Sequence, residues 1–451
     1  MPQAPGARRA AHGTGGRMAM TDPVQQELTA RRRAASFKER ALMTAYFGLA
    51  RVIPDALIRA VVARMGRKRP EDIGVDRVNE RIARDLPPRP QGRVVWLHSI
   101  GPGDSTALLP LIPELLAQGV HCVVTTRTFA AQKVFAKLAE GGRVTVQLAP
   151  YDTYLVMRRF LDHWQPDTAI FCERDLWPVA LHLLKQRGAR VGIVNGQMDG
   201  RLGDDLRKLP GLGRWMMGHI DVMHVFSDAC AVDARTWLRT DAQILTLPNL
   251  KLDAAPLVAK PDLLAQLRAV WAGRLVVTAA SVRSVEVPVL LEALDIARAT
   301  RPDLRLILAP RWKDQLAELQ EMVAAPCRSI DGLPGADDAV FIADSYGELG
   351  TWFEDSVAVF MGDTLFYGWG HNPYEPVLKG CEVIAGSHSR LFGADFRYLE
   401  GLGLCVIAPD AAAIAREILR LADQQGQSDG FARLWATRGF TPTLAQALLH
   451  G

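Results

Sequence analysis

Two series of short apolar runs, rich in Val, Ile and Leu and each followed by a helix-length segment, constrain this chain more than any other feature. The first series occupies residues 94–100, 121–126, 145–150, 167–173, 190–196 and 222–227; the second occupies 275–281, 304–310, 339–344, 357–363, 382–386 and 404–408. Each run predicts a buried parallel strand, because a strand covered by helices on both faces stays apolar instead of alternating. Two doubly wound sheets in tandem are the economical arrangement, an α/β fold of Rossmann-like build. The pattern lapses at residues 252–261, where Asp, Ala, Pro and Lys replace it. A chain of 451 residues also exceeds what one core usually supports. The expected organisation is a basic arm with amphipathic helices at 1–69, one Rossmann-like domain at 70–252, a second at 253–425 and a helical segment at 426–451.

Charge is unevenly placed: residues 1–69 hold 14 Lys/Arg against 4 Asp/Glu, although the whole chain is only +4. Nucleic-acid binders tend to spread basic residues over a folded face, so this arm points instead to an anionic membrane surface, with no nucleic-acid partner. No apolar run is long enough to cross a bilayer. In 41–69 the apolar Leu42, Tyr46, Phe47, Leu49, Ile53, Leu57, Ile58, Val61 and Val62 alternate with Arg51, Arg59, Arg64, Arg67, Lys68 and Arg69, interrupted by Pro54. Two readings remain open for this stretch: a kinked helix pair lying on headgroups, or an ordinary amphipathic helix with its basic face in water. The first 17 residues lack the apolar centre of a secretory signal, and are expected to be disordered or to precede a true start at Met18 or Met20. The six cysteines form no C-x-x-C pair and read as buried thiols in a reducing compartment, without zinc or disulfides.

In open parallel sheets ligands bind beyond the carboxyl ends of the strands, which directs attention to the residues just after each run. No P-loop and no G-x-G-x-x-G sequence is present. After the first run, Gly101-Pro102-Gly103-Asp104 delivers a carboxylate at a helix start, placed as a general base or as an N-cap. After the fourth, Glu173-Arg174-Asp175-Leu176-Trp177-Pro178 sets two carboxylates around an arginine. Lys251, in Pro248-Asn249-Leu250-Lys251-Leu252-Asp253, offers a cation for a phosphate or sugar carboxylate, or is a surface lysine. In the second half, Pro310-Arg311, Gly347-Glu348-Leu349 and Gly370-His371-Asn372-Pro373-Tyr374-Glu375 suit an anion held by backbone amides and arginine. Asn372, Pro373 and Glu375 equally fit N-cap, N1 and N3 of a capped helix.

These pieces, in this order across residues 77–405, resemble the 3-deoxy-D-manno-octulosonic acid (Kdo) transferases of Gram-negative bacteria. Further motifs that carry the resemblance are Arg77-Val78-Asn79-Glu80-Arg81, Trp96-Leu97-His98, Leu148-Ala149-Pro150-Tyr151-Asp152 and Ala279-Ala280-Ser281. The resemblance implies a GT-B fold of two domains facing a cleft, a CMP-Kdo donor, a lipid A precursor as acceptor, inversion at the anomeric carbon, and no metal or other cofactor. It also implies attachment to the cytoplasmic face of the inner membrane. By position it implies Asp104 as proton acceptor and Glu173 and Lys251 as transition-state stabilisers. CMP would be held by Pro310, Arg311, Gly347, Glu348, Leu349, Asn372, Pro373, Tyr374 and Glu375.

The chain departs from the family pattern at three places. Gly101-Pro102-Gly103-Asp104 stands where Ser-Val-Gly-Glu is usual, shortening the expected base by one methylene. Trp312 replaces a His, and Met361-Gly362-Asp363-Thr364 replaces a Gly-Gly-Ser stretch. These changes leave two alternatives to Kdo transfer onto lipid A precursor. One is transfer of a related acidic sugar, or transfer to another lipid-linked acceptor. The other is a CMP-sugar-binding paralogue impaired in catalysis.

Overall fold

In a computed structural model of the chain, residues 22–67, 76–198, 200–312, 315–366, 368–424 and 427–450 are described. The expected disorder of the first 17 residues, the alternative starts at Met18 and Met20, and Lys68 and Arg69 lie outside them. Every apolar run of the first series forms a strand: β1 (Val94–Ser99), β2 (His121–Thr126), β3 (Val144–Leu148), β4 (Thr168–Cys172), β5 (Arg190–Val194) and β6 (Val222–Val225). A seventh, β7 (Gln243–Thr246), joins them at the edge, and the parallel sheet has the order β3-β2-β1-β4-β5-β6-β7. β7 escaped the sequence pattern because none of its residues is fully buried.

The second series gives β8 (Leu275–Val282), β9 (Leu304–Pro310), β10 (Val340–Ile342), β11 (Ser356–Met361), β12 (Val383–Ala385) and β13 (Cys405–Ile407). They form a parallel sheet of order β10-β9-β8-β11-β12-β13. In both sheets the strand order reverses once, between β1 and β4 and between β8 and β11. Such a reversal opens a crevice at the carboxyl ends, because the flanking loops leave toward opposite faces. Among the described residues the chain divides into two compact units. One lies within Met1–Ser105, Leu115–Thr246 and Leu444–Gly451, the other within Thr106–Glu114 and Leu247–Thr443.

Helices α1 (Asp22–Ala34), α2 (Phe37–Val52) and α3 (Asp55–Gly66) precede the first sheet. Ser36 starts α2 through a reciprocal capping box with Glu39. The Glu39 carboxylate also accepts the Gly211 and Leu212 amides, fastening α2 to the first unit. A Cβ at Gly211 would come within 2.6 Å of Ala35 Cβ and Glu39 Oε2, so this close approach needs glycine. α2 and α3 bend by 97° at the break containing Pro54, and among the described residues no single helix is long and apolar enough to cross a membrane. Met43, Phe47, Ala50, Ile58 and Val62 pack into the core of the first unit. A second apolar set on the same helices, Phe37, Leu42, Leu49, Val52, Leu57, Val61 and Met65, is exposed.

Candidate active site

In the first unit the two loops at the β1/β4 reversal carry Asp104 and Glu173. Asp104 is not an N-cap: the helix Pro102–Leu108 starts two residues earlier, with Pro at the position that needs no amide donor, so Asp104 lies in the first turn. Its half-buried carboxylate approaches the Gly101 amide at 3.5 Å. Glu173, half-buried at the end of β4, has φ +64° and donates its amide to the Val194 carbonyl at 2.8 Å. Asn195, at the end of adjacent β5, has φ +53° and donates its amide to His224 Nδ1 at 3.2 Å. Non-glycine residues in this region cost about 1–3 kcal/mol each and concentrate at functional sites.

The second unit gathers most of the other candidates. Asn249 accepts the Lys251 amide at 3.0 Å and so caps the short turn Leu250–Asp253. Lys251 is buried, with Nζ 4.9 Å from the centre of the Phe392 ring. Arg311 is exposed just beyond β9, its amide bonded to the Val282 carbonyl at 3.0 Å. Pro310, the last residue of that strand, lies in register with Val282. The helix expected to open at Asn372 starts at Tyr374, with Pro373 at the cap position. Asn372 still accepts the Tyr374 amide at 3.2 Å and donates to Glu375 Oε1 at 3.2 Å. Burial raises the Glu375 carboxyl above its usual range, opposed by the Asn372 bond and by the charges of Lys251 and Arg311. Cations from two separate loops therefore act on one carboxylate.

Gly347 has φ +78°, a left-handed turn that glycine alone adopts without strain, and it presents Glu348 and Leu349 at the start of helix Leu349–Glu354. Glu348 is buried and accepts Lys260 Nζ at 2.8 Å, Arg328 Nε at 2.9 Å and the Ser345 hydroxyl. Burial works against its charge, yet these donors prevail and hold its carboxyl at about 2. Glu348 therefore fixes the turn, while the Gly347 backbone stays exposed.

Several residues were beyond the reach of sequence motifs. Asp395 is buried and accepts both the Asn249 amide at 2.8 Å and the Tyr374 hydroxyl at 3.1 Å, joining two of the candidate motifs. Glu286 is buried and collects the backbone amides of Arg283, Asp363, Thr364 and Leu365 at 2.7–3.0 Å. It thereby pins the loops after β8 and β11; Ser281, next to last in β8, and Asp363, just beyond β11, are again left-handed, at φ +56° and +58°. The only advance signal was the position of Ser281 and Asp363 at the ends of apolar runs. Among the described residues no three His, Cys, Asp or Glu side chains gather as a metal site would require, and all six cysteines are buried thiols outside any disulfide.

Comparison with known proteins gives consistent relatives. Residues 76–254 match the family described as 3-deoxy-D-manno-octulosonic-acid transferase (kdotransferase). A 3-deoxy-D-manno-octulosonic acid transferase of Haemophilus influenzae is 27% identical over 379 residues, covering 80% of this chain and 87% of that protein. One from Bordetella pertussis is 29% identical over 378 residues, covering 77% and 84%. Among solved structures, a putative UDP-N-acetylglucosamine 2-epimerase from Listeria monocytogenes aligns over 78% of this chain and 94% of its own, with a TM-score of 0.57 at 13% identity. That likeness concerns the fold, a two-domain α/β build.

Proposed function

We propose, for a chain that carries the Kdo transferase family domain at residues 76–254 and aligns with Kdo transferases over most of its length, an inverting glycosyltransferase. It transfers Kdo from CMP-Kdo to a lipid A precursor in lipopolysaccharide biosynthesis. The first domain takes the acceptor and the second takes the nucleotide sugar. The observation that supports the nucleotide assignment is the Asn372–Tyr374 turn, where Asn372 holds Glu375 and the charges of Lys251 and Arg311 reach that carboxyl. Cations and backbone donors so arranged suit a phosphate monoester leaving group.

In this reading the Asp104 carboxylate takes the proton of the acceptor hydroxyl. The freed oxygen forms a bond to the anomeric carbon on the face opposite the nucleotide, and the carbon–oxygen bond to phosphate breaks, CMP leaving with the electron pair. Glu173 stabilises positive charge on the sugar, and Lys251 and Arg311 stabilise negative charge on departing CMP. Pro310, Gly347, Leu349, Asn372, Pro373 and Tyr374 shape the nucleotide pocket, which Glu348 braces from behind.

The exposed apolar set on α2 and α3, with Arg51, Arg59 and Arg64 on the same helices, supports a peripheral or monotopic seat on the anionic cytoplasmic face of the inner membrane, where a lipid acceptor resides. Mass spectrometry of glycolipids tests the assignment in cells. Depleting the protein is expected to accumulate lipid A precursor without Kdo, and an unchanged glycolipid profile would refute it.

A further inference from the structure

We propose that His98 and Asp175 are positioning residues that set the geometry of Glu173 from the neighbouring strand, an inference that rests on the transferase reading above. His98 lies on β1 and is fully buried, an expensive place for a polar ring unless both nitrogens are bonded. Both are. Nδ1 lies 2.9 Å from the Thr125 hydroxyl on β2, and Nε2 lies 2.9 Å from Asp175 Oδ2, two residues beyond Glu173.

The row runs from the Trp96 indole to the Asp175 carboxylate. The Trp96 indole N–H donates to Thr125 Oγ1 at 2.8 Å, and the Thr125 hydroxyl, which also reaches the Leu97 carbonyl at 3.4 Å, makes its shorter contact of 2.9 Å with His98 Nδ1. A carboxylate only accepts, so His98 Nε2 carries the proton of its bond to Asp175. Trp96, Thr125, His98 and Asp175 thus form one unbroken row.

The row ends at the loop that carries Glu173. The other oxygen of Asp175 faces Arg127 Nη1 at 3.6 Å, so the carboxylate is approached from both sides. The Trp177 ring lies 4.2 Å from the His98 ring, closing the same loop onto β1 just before Pro178 opens the next helix. Glu173 thus sits between the end of β4 and a fixed point two residues on, in the left-handed conformation that its φ of +64° records. An apolar core would serve stability at least as well as a buried polar row. What the row adds is a single geometry for the loop.

The test uses His98→Phe and Asp175→Ala, each of which breaks the last link, and His98→Gln, whose amide can still accept from Thr125 and donate to Asp175. Displacing a catalytic group by about 1 Å costs on the order of a hundredfold. The expected result is a kcat about a hundredfold lower for the two breaking variants, with KM for CMP-Kdo within twofold of the parent, and substantial recovery in His98→Gln. Combined with Glu173→Gln, His98→Phe is expected to add no further loss. Additive losses in the double variant, or no recovery in His98→Gln, would overturn the inference.

A crystal structure of Asp175→Ala provides the readout that does not depend on activity. Glu173 is expected to leave the left-handed region, and an unaltered 173–177 loop would overturn the inference. A parent protein that releases no CMP would instead count against the transferase reading, leaving this structural arm to decide the inference.

Discussion

Asp395 accepts the side-chain amide of Asn249 at 2.8 Å, across 146 residues of sequence, in the interior of the second unit. The same carboxylate accepts the Tyr374 hydroxyl, so one buried acid aligns the turn that carries Lys251 with the turn that carries Asn372 and Glu375. Asp395→Ala would leave two buried donors unpaired, at about 1–3 kcal/mol each. The expected outcome is a melting temperature lower by several degrees, with weaker CMP binding by calorimetry. Unchanged CMP affinity would show that the two turns need no tether.

Arg311 and Lys251 are expected to separate in their effects. Arg311 is exposed, so Arg311→Ala should leave stability within about 0.5 kcal/mol and weaken CMP binding about tenfold or more. Lys251 is buried beside Phe392 and acts on Glu375, so Lys251→Met should lower kcat more than it raises KM for the donor. Calorimetry with CMP and steady-state kinetics on both variants check this. Equal effects on binding and turnover would contradict the separate roles.

Where the chain was legible beforehand, the reason was local chemistry. Strands such as β1 and β9 are mostly apolar and almost wholly buried because helices cover both faces, so their positions stood out as runs. β7 did not, because its residues retain solvent contact. Glu173 and Arg311 were found because they directly follow runs. Asp395 and Glu286 were not, since their roles exist only once the fold brings distant backbone and side-chain donors around them. Asp104 was visible as a residue but misplaced by one part of a turn, because Pro102 starts the helix earlier than an aspartate cap would.

Two groups give the second unit distinct pH limits. Burial, with the charge of Arg311, lowers His371 to about 4 against an opposing Asp363. A histidine depressed in the folded state adds stability that is present above its unfolded value of about 6.5 and is lost as pH falls toward 4, by no more than about 3 kcal/mol. Glu348, depressed to about 2, adds stability present above its unfolded value and lost between about pH 4.5 and 2. Urea denaturation at pH 7, 5.5 and 4.5 is expected to show a smaller decline in His371→Gln than in the parent. Parallel declines would contradict the assignment.

The exposed apolar face of α2 and α3 should govern membrane binding. Replacing Leu49, Val52 and Leu57 together by Glu removes apolar contact and adds negative charge while leaving Met43, Phe47 and Ile58 in the core. Sedimentation with phosphatidylglycerol-containing liposomes is expected to fall at least tenfold, with the fold intact by circular dichroism. Undiminished sedimentation would remove these helices from the membrane contact.

The central claim is tested most directly by incubating the purified full-length protein with radiolabelled CMP-Kdo and a lipid A precursor, and measuring CMP released against Kdo recovered in lipid. The account predicts stoichiometric transfer, and a loss on the order of a thousandfold in Asp104→Ala. Full activity in that variant would remove Asp104 from the role of base, and no transfer by the parent protein would contradict the assigned function itself.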